Sequence, residues 1–284
     1  MSNVLILTDS TVDLDPQYII DNDIQQIPLF VRFEDEVYRD GIDINANDLY
    51  HKVESSKDVA RSTGLRSGDF HNAFNKFIKR GFDIVYIGIG SNLSSSIQSA
   101  LIAKQELETK KVYIVDSKSI SAGLGILVMR AVDLKNQGKS GASIKKALDE
   151  LVPRIHLYYM LSDLELLSRT YRIRPISFFF ANLFKTKPII TMINDRIEMI
   201  HHPMGTIDKA MLKFVKLIQK KTRGQKVDHL VITYSCEEAY AKKGIDLLTK
   251  CLHPRIVASA PIGCVLGAQV GRNAFGIAYL QTSD

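Results

Sequence analysis

The chain has 284 residues, 45% hydrophobic and 24% charged, with a formal net charge of +6. This length leads us to expect two domains, and the composition is that of a folded globular protein rather than a disordered chain. Lys and Arg are scattered rather than striped with aromatics, which argues against a nucleic-acid partner, and no apolar run approaches a membrane span.

Val4 to Leu7 reads as a short buried strand ending in Thr8, Asp9, Ser10 and Thr11, and a helix is expected from Pro16 to Asp21. Ile24 to Phe33 forms a second extended segment and Asp40-Gly41 a turn. Asn47 to Val53 reads as a helix, Ser62 to Gly68 as a polar loop, and Asp69 to Lys79 as a helix with Phe70, Ala73, Phe74 and Phe77 on one face. The first half is organised around Ile84 to Lys104. Ile84 to Ile89 is apolar and β-branched, as a buried parallel strand requires, and Gly88 and Gly90 loosen its end. Ser91, Ser94, Ser95 and Ser96 follow, and Ile97, Ala100, Leu101 and Leu107 then recur at helical spacing.

These serines sit where a strand hands over to a helix. The first turn of a helix carries N–H groups without internal partners, so hydroxyls there suit a carboxylate or phosphate oxygen. The competing reading is that one serine caps the helix and the others face water. Val112 to Val115 is the next strand, ending in Asp116-Ser117, and Ser119 to Asn136 the next helix. The alternation predicts an α/β fold whose first domain, residues 1–152, is a doubly wound, mostly parallel sheet.

In the second half, Ser143 is the expected N-cap of a helix running to Leu151, ended by Pro153. Ile155 to Leu161 is a strand, Leu164 to Leu167 a short helix, and Ser177 to Phe184 a phenylalanine-rich helix. Pro188 to Met192 and Arg196 to His201 read as an antiparallel pair turned at Asn194-Asp195. Thr206 caps a helix with Ile207, Met211, Phe214, Val215 and Ile218 inward. A strand at His229 to Tyr234, a helix at Glu237 to Cys251, a strand at Ile256 to Ala260 and a glycine-rich closing segment complete the chain. Residues 153–284 are therefore expected to form an α/β sandwich with a mixed or antiparallel sheet.

Hydroxyls recur at strand ends in the first half, and in doubly wound sheets ligands bind where such ends converge. Four such loops, at Asp9-Ser10-Thr11, Ser62-Thr63, Ser91 to Ser96 and Asp116-Ser117, are candidates for one cleft. Asp9 and Asp116 read as loop-fixing acceptors rather than catalytic acids. No nucleophile elbow, Walker loop or dinucleotide fingerprint is present. His201 and His202 are adjacent on a strand and point to opposite faces, so no metal site is expected there. Cys236, Cys251 and Cys264 are odd in number and widely spaced, which suits buried thiols rather than disulfides or zinc. With no signal-peptide pattern at the N-terminus, a cytoplasmic location is expected.

Several segments in order resemble the DegV family of bacterial fatty-acid-binding proteins. They are TDSTVDL from Thr8, IPLFV followed by Asp40-Gly41, GSNLSSSIQSA from Gly90, VDSKSISAGLG from Val115, SDLELLSRTYRI from Ser162, KPII from Lys187 and FGIAY from Phe275. The resemblance implies one long-chain fatty acid held in a cleft between two α/β domains, with no catalytic residue and no other cofactor. Carried over residue by residue, the carboxylate contacts fall on Ser62 and Ser94. Thr63, Ser95 and Arg169 are secondary, and Phe178, Phe179, Phe180 and Phe184 are candidates to close or bend the tail tunnel. The resemblance also implies a lipid carrier that presents the acyl group to a fatty acid kinase for phospholipid synthesis. Gln269 stands where the family carries a His, and Met204 is nearest to a family Arg, so weak support of such a kinase is expected. Two alternatives are a lipid-sensing regulator and a hydrolase or transferase using Ser94, which would need a base that the sequence does not offer.

Overall fold

A computed structural model describes residues 3–55, 59–162, 186–193 and 196–282. Arg169, Phe178, Phe179, Phe180 and Phe184, the two helices expected between 164 and 184, and the Asn194-Asp195 turn lie outside the described residues.

The first half is built on a parallel sheet of β1 (Val4–Asp9), β2 (Gln25–Ile27), β6 (Asp83–Gly88) and β7 (Val112–Asp116), in the order β2-β1-β6-β7. All three pairings are parallel. The chain runs from β1 to β2 on one side and from β6 to β7 on the other, so β1 and β6 flank the switch point of the sheet. The segment expected to be one extended run, Ile24 to Phe33, is two strands. β3 (Phe30–Phe33) leaves the main sheet and forms an antiparallel one with β4 (Glu36–Arg39) and β5 (Arg61–Thr63). The loop expected at Ser62 thus begins in a strand, and pairing with Val31 fixes the position of Ser62.

The helices of this half are α1 (Pro16–Asp21), α2 (Ala46–Ser55), α3 (Ser67–Lys79), α4 (Ser96–Glu106), α5 (Ala122–Asn136) and α6 (Gly141–Leu151). Helix α3 buries Phe70 and Phe74 against Tyr86 of β6, with Phe70 edge-on at 4.9 Å. Helix α4 faces inward through Ile97, Ala100 and Ala103, whereas Leu101 is 45% exposed, contrary to expectation. Small alanines on the inner face let α4 pack closely on α3 and β7, and that contact leaves Leu101 outside. Ser140, not Ser143, caps α6, because the Ser140 hydroxyl accepts the Ser143 N–H at 3.3 Å.

The second half forms a mixed sheet, β10-β9-β8-β13-β11-β12, from β8 (Ile155–Met160), β9 (Ile189–Ile193), β10 (Arg196–His201), β11 (Lys226–Tyr234), β12 (Ile256–Pro261) and β13 (Phe275–Thr282). Among the described strands of this sheet only β11 and β12 pair in parallel; β9 and β10 are antiparallel as expected. Helices α7 (Ile207–Lys221) and α8 (Glu238–Leu252) cover one face, and the Thr206 hydroxyl caps α7. Between the two sheets lies α5, apolar around its circumference and buried throughout Ala122 to Met129. The glycine-rich closing segment contains α9 (Cys264–Val270), every residue of which is buried. Although α9 belongs to the second half, it packs on α2, β3 and β5 of the first. Among the described residues no helix is long and apolar enough to cross a membrane.

Candidate functional site

Asp9 fixes the end of β6. Its carboxylate accepts from Ile89 N at 2.8 Å, the Tyr86 hydroxyl at 3.0 Å and Thr11 N at 3.0 Å. Burial pushes its pKa up, and these hydrogen bonds pull it back only in part. Asp116 fixes the next loop by accepting from Ser91 N and Lys118 N, while Lys118 Nζ reaches both Asp116 and the Ser91 hydroxyl. Burial would raise the Asp116 carboxyl, but these Ser91 and Lys118 partners outweigh it and hold its pKa low. Both aspartates therefore act as structural acceptors.

Of the four hydroxyl loops, the serine run meets two others, the Asp116-Ser117 loop at Ser91 and the Ser62-Thr63 segment at Ser94. Thr11 bonds Asp9 and Ser117 donates to Ser119 O, each within its own loop, while Ser10 accepts Leu29 N and ties its loop to the segment before β3. By contrast, a Cβ at Gly64 would stand 2.9 Å from Ser94 Oγ, 3.2 Å from Ser95 Oγ and 3.4 Å from Ser96 Oγ. The end of β5 thus lies directly on the serine run before α4. Ser94 Oγ is 2.9 Å from Ser96 Oγ and accepts Ser96 N at 3.2 Å, and Leu65 N donates to Ser96 Oγ at 3.3 Å. Ser62 and Ser94 are half-buried, whereas Thr63 and Ser95 are exposed. Neighbouring strand residues face opposite ways, which separates Ser62 from Thr63.

Helix α9 brings the second half to this cluster. The Gln269 amide donates from Nε2 to Ser62 Oγ at 3.4 Å, and the residue is only 5% exposed. Gln269 therefore lies inside, against a head-group candidate, and Met204 is at the surface with 64% exposure. Gln269 also borders an apolar cavity of about 40 Å³. Leu93, adjacent to Ser94, and Ile120 form the wall contributed by the first half. Tyr159, Ile190, Met192, Ile197 and Leu266 are among those contributed by the second. The hydroxyl cluster and the cavity are thus contiguous through Gln269 and Leu93.

A buried polar network sets the position of α9. Gly263 N donates to Asp13 Oδ1 at 2.9 Å and Cys264 N to Asp40 Oδ1 at 3.1 Å, so two carboxylates of the first half hold the start of a helix of the second. Asp13 also accepts a short bond from the Ser121 hydroxyl. Tyr159 OH reaches Ser121 Oγ at 2.6 Å and Thr233 Oγ1 at 2.8 Å. Ser121 has a φ of +56°, a strained conformation for a residue with a side chain, and this geometry aims its hydroxyl into the network. Burial raises the Asp13 carboxyl to about 7, with Asp40 adding to the effect, and burial likewise raises Asp40.

Sequence reasoning singled out Ser62, Ser94 and the serine run, and the structure sets Gly64, two residues after Ser62, against that run. That reasoning missed Ser96 as a partner of Ser94, and missed the Asp13–Ser121–Tyr159–Thr233 network, whose members are far apart in sequence. Gln269 was singled out, but its contact with Ser62 was not foreseen. Among the described residues no group of three or more His, Cys, Asp or Glu could hold a metal ion.

Fold and site define an α/β protein with a parallel and a mixed sheet, in which uncharged hydroxyls at a sheet switch point adjoin an apolar cavity. The chain belongs to the DegV family, because residues 3–282 match the family model described as uncharacterised protein, DegV family. It is similar to a DegV domain-containing protein of Staphylococcus aureus (strain MRSA252), 30% identical over 288 residues and covering 99% of this chain and 100% of that one. Among solved structures, DegV from Bacillus subtilis, described as a fatty acid binding protein, is 25% identical with a TM-score of 0.83, covering 99% of this chain and 100% of that one. A DegV family protein from Thermus thermophilus, described for its fatty acid binding, has a TM-score of 0.89 at 24% identity, with 99% and 100% covered. At that identity the likeness speaks to the fold.

Proposed function

We propose that this protein holds one long-chain fatty acid between two domains, residues 1–152 and 153–284, with the carboxylate on the Ser62 and Ser94 hydroxyls. The observation that carries this reading is the meeting of those hydroxyls with an apolar cavity at the Gln269 wall. Hydroxyls hold a carboxylate by charge-assisted hydrogen bonds without a salt bridge. The division into domains is supported by the sheets, since the strands of each come from one side of residue 152 only. The cavity, about 40 Å³, has room for a few waters rather than an acyl tail. An acyl tail enters as the half-buried Leu93, Met192 and Ile197 side chains move aside, while Tyr159, held by Ser121 and Thr233, stays in place.

The protein acts as a carrier in the cytoplasm rather than as a catalyst. Asp9 and Asp116, whose carboxylates hold the backbone at Ile89 and Ser91 just before the serine run, are engaged in fixing loops, which leaves Ser94 without a base from either. Thr63, Ser95 and Arg169 are secondary ligand-binding candidates, and one or two of Phe178, Phe179, Phe180 and Phe184 close or bend the tail tunnel, the alternative being that they are core of the second domain. Hand-off to a fatty acid kinase is weak, because a Gln at 269 can neither carry charge nor exchange a proton. Native mass spectrometry of the purified protein tests the reading. A bound mass equal to one long-chain acid is expected, and a chain that stays empty when supplied with such acids would contradict it.

A further inference from the structure

Two buried side chains, Ser96 and Gln269, contact the proposed head-group pair. Ser96 Oγ accepts the Leu65 N–H at 3.3 Å and lies 2.9 Å from Ser94 Oγ, a contact in which either hydroxyl can donate. Ser94 Oγ also accepts the Ser96 N–H at 3.2 Å. A hydroxyl has one donor and two acceptor positions. When Ser96 is the donor in that contact, both acceptor positions of Ser94 are filled and its proton is left for a ligand. On the other side of the cluster, the Gln269 amide donates to Ser62 Oγ at 3.4 Å and leaves the Ser62 proton free as well. Ser96 is fully buried and Gln269 is 5% exposed, so neither can turn to water instead.

We propose that Ser96 and Gln269 are positioning residues that fix the Ser94 and Ser62 hydroxyls as donors, so the site selects a head group that only accepts hydrogen bonds over one that only donates. A carboxylate is the first kind and an alkylammonium the second. The inference rests on the carboxylate lying between Ser62 and Ser94, as set out above. Its distinctive consequence is a polarity that one side chain can reverse. A Glu at position 269 has nearly the shape of Gln, and at a pH high enough to ionise it, since burial raises a carboxyl, its carboxylate only accepts. The Ser62 proton then turns toward residue 269, and the Ser62 lone pairs face the ligand.

The test is a competition, by dye displacement, between a long-chain acid and the primary amine of equal chain length. Wild type, Gln269→Glu and Gln269→Met are compared, with folding checked by thermal melting. Wild type favours the acid. Gln269→Glu lowers that preference by about a hundredfold, because a charge-assisted bond is lost and a repulsive one replaces it. Gln269→Met removes the orienting donor without adding charge, and lowers the preference by about three- to tenfold. If Gln269→Glu fails to fold, Gln269→Met carries the test. A wild-type preference in Gln269→Met would overturn the inference, since the effect of Glu would then be charge alone. Failure of wild type to bind the acid would overturn the proposed ligand itself, a separate result.

Discussion

Asp13 makes the pH dependence of stability a direct probe of how the two halves join. Its carboxyl is raised by burial from 3.8 to about 7, while it accepts from Ser121 and from Gly263 at the start of α9. The folded pKa is above the unfolded one, so between these values the folded chain keeps a proton that the unfolded chain has released. The associated stability is complete below about pH 4 and is lost as pH rises to about 7. About three units at 1.36 kcal/mol each correspond to roughly 4 kcal/mol across that window. Asp40 acts in the same direction. Asp13→Asn isolates Asp13, because the amide oxygen still accepts from Gly263 and its NH2 group can donate to Ser121. Urea unfolding of both proteins from pH 4 to pH 8 is the assay. We expect the variant to gain a few kcal/mol relative to wild type as pH rises. A difference between the two that stays constant across the range would refute the account of Asp13.

Gly64→Ala places a Cβ 2.9 Å from Ser94 Oγ, so acyl affinity falls by about tenfold with the melting temperature little changed, as read by calorimetry of binding and of unfolding. Unchanged affinity would mean that β5 does not support the head-group site. Ser140→Ala costs about 1 kcal/mol of stability, and Ser143→Ala less, because Ser140 is the cap of α6. Reconstituted with a fatty acid kinase subunit from the same organism, the protein supports little acyl phosphate formation, and Gln269→His raises it. A wild-type rate matching that of a His-bearing relative would overturn this.

The sequence made the architecture legible where the periodicity was local. The parallel strands at Val4 and Ile84, the antiparallel β9–β10 pair and the Thr206 cap all follow from patterns within about ten residues. The split of Ile24 to Phe33 into β2 and β3 was hidden, because both strands are apolar and only tertiary pairing separates them. Leu101 fits the helical period yet lies outside, since packing of α4 on small alanines decided its face. At the site, Ser94 was legible from the strand–glycine–serine joint. Ser62 needed the family resemblance, as its place depends on β3–β5 pairing. The link from Gln269 to Ser62 spans most of the chain and has no local signature.

The central claim is that two hydroxyls from different loops hold one carboxylate. Calorimetric titration of a long-chain fatty acid into wild type and into the Ser62→Ala/Ser94→Ala double variant tests it most directly. Each charge-assisted hydrogen bond is worth about 1.5–3 kcal/mol, so the double variant should lose roughly 3–6 kcal/mol of binding free energy while remaining folded. A folded double variant that binds the acid as tightly as wild type would contradict the account.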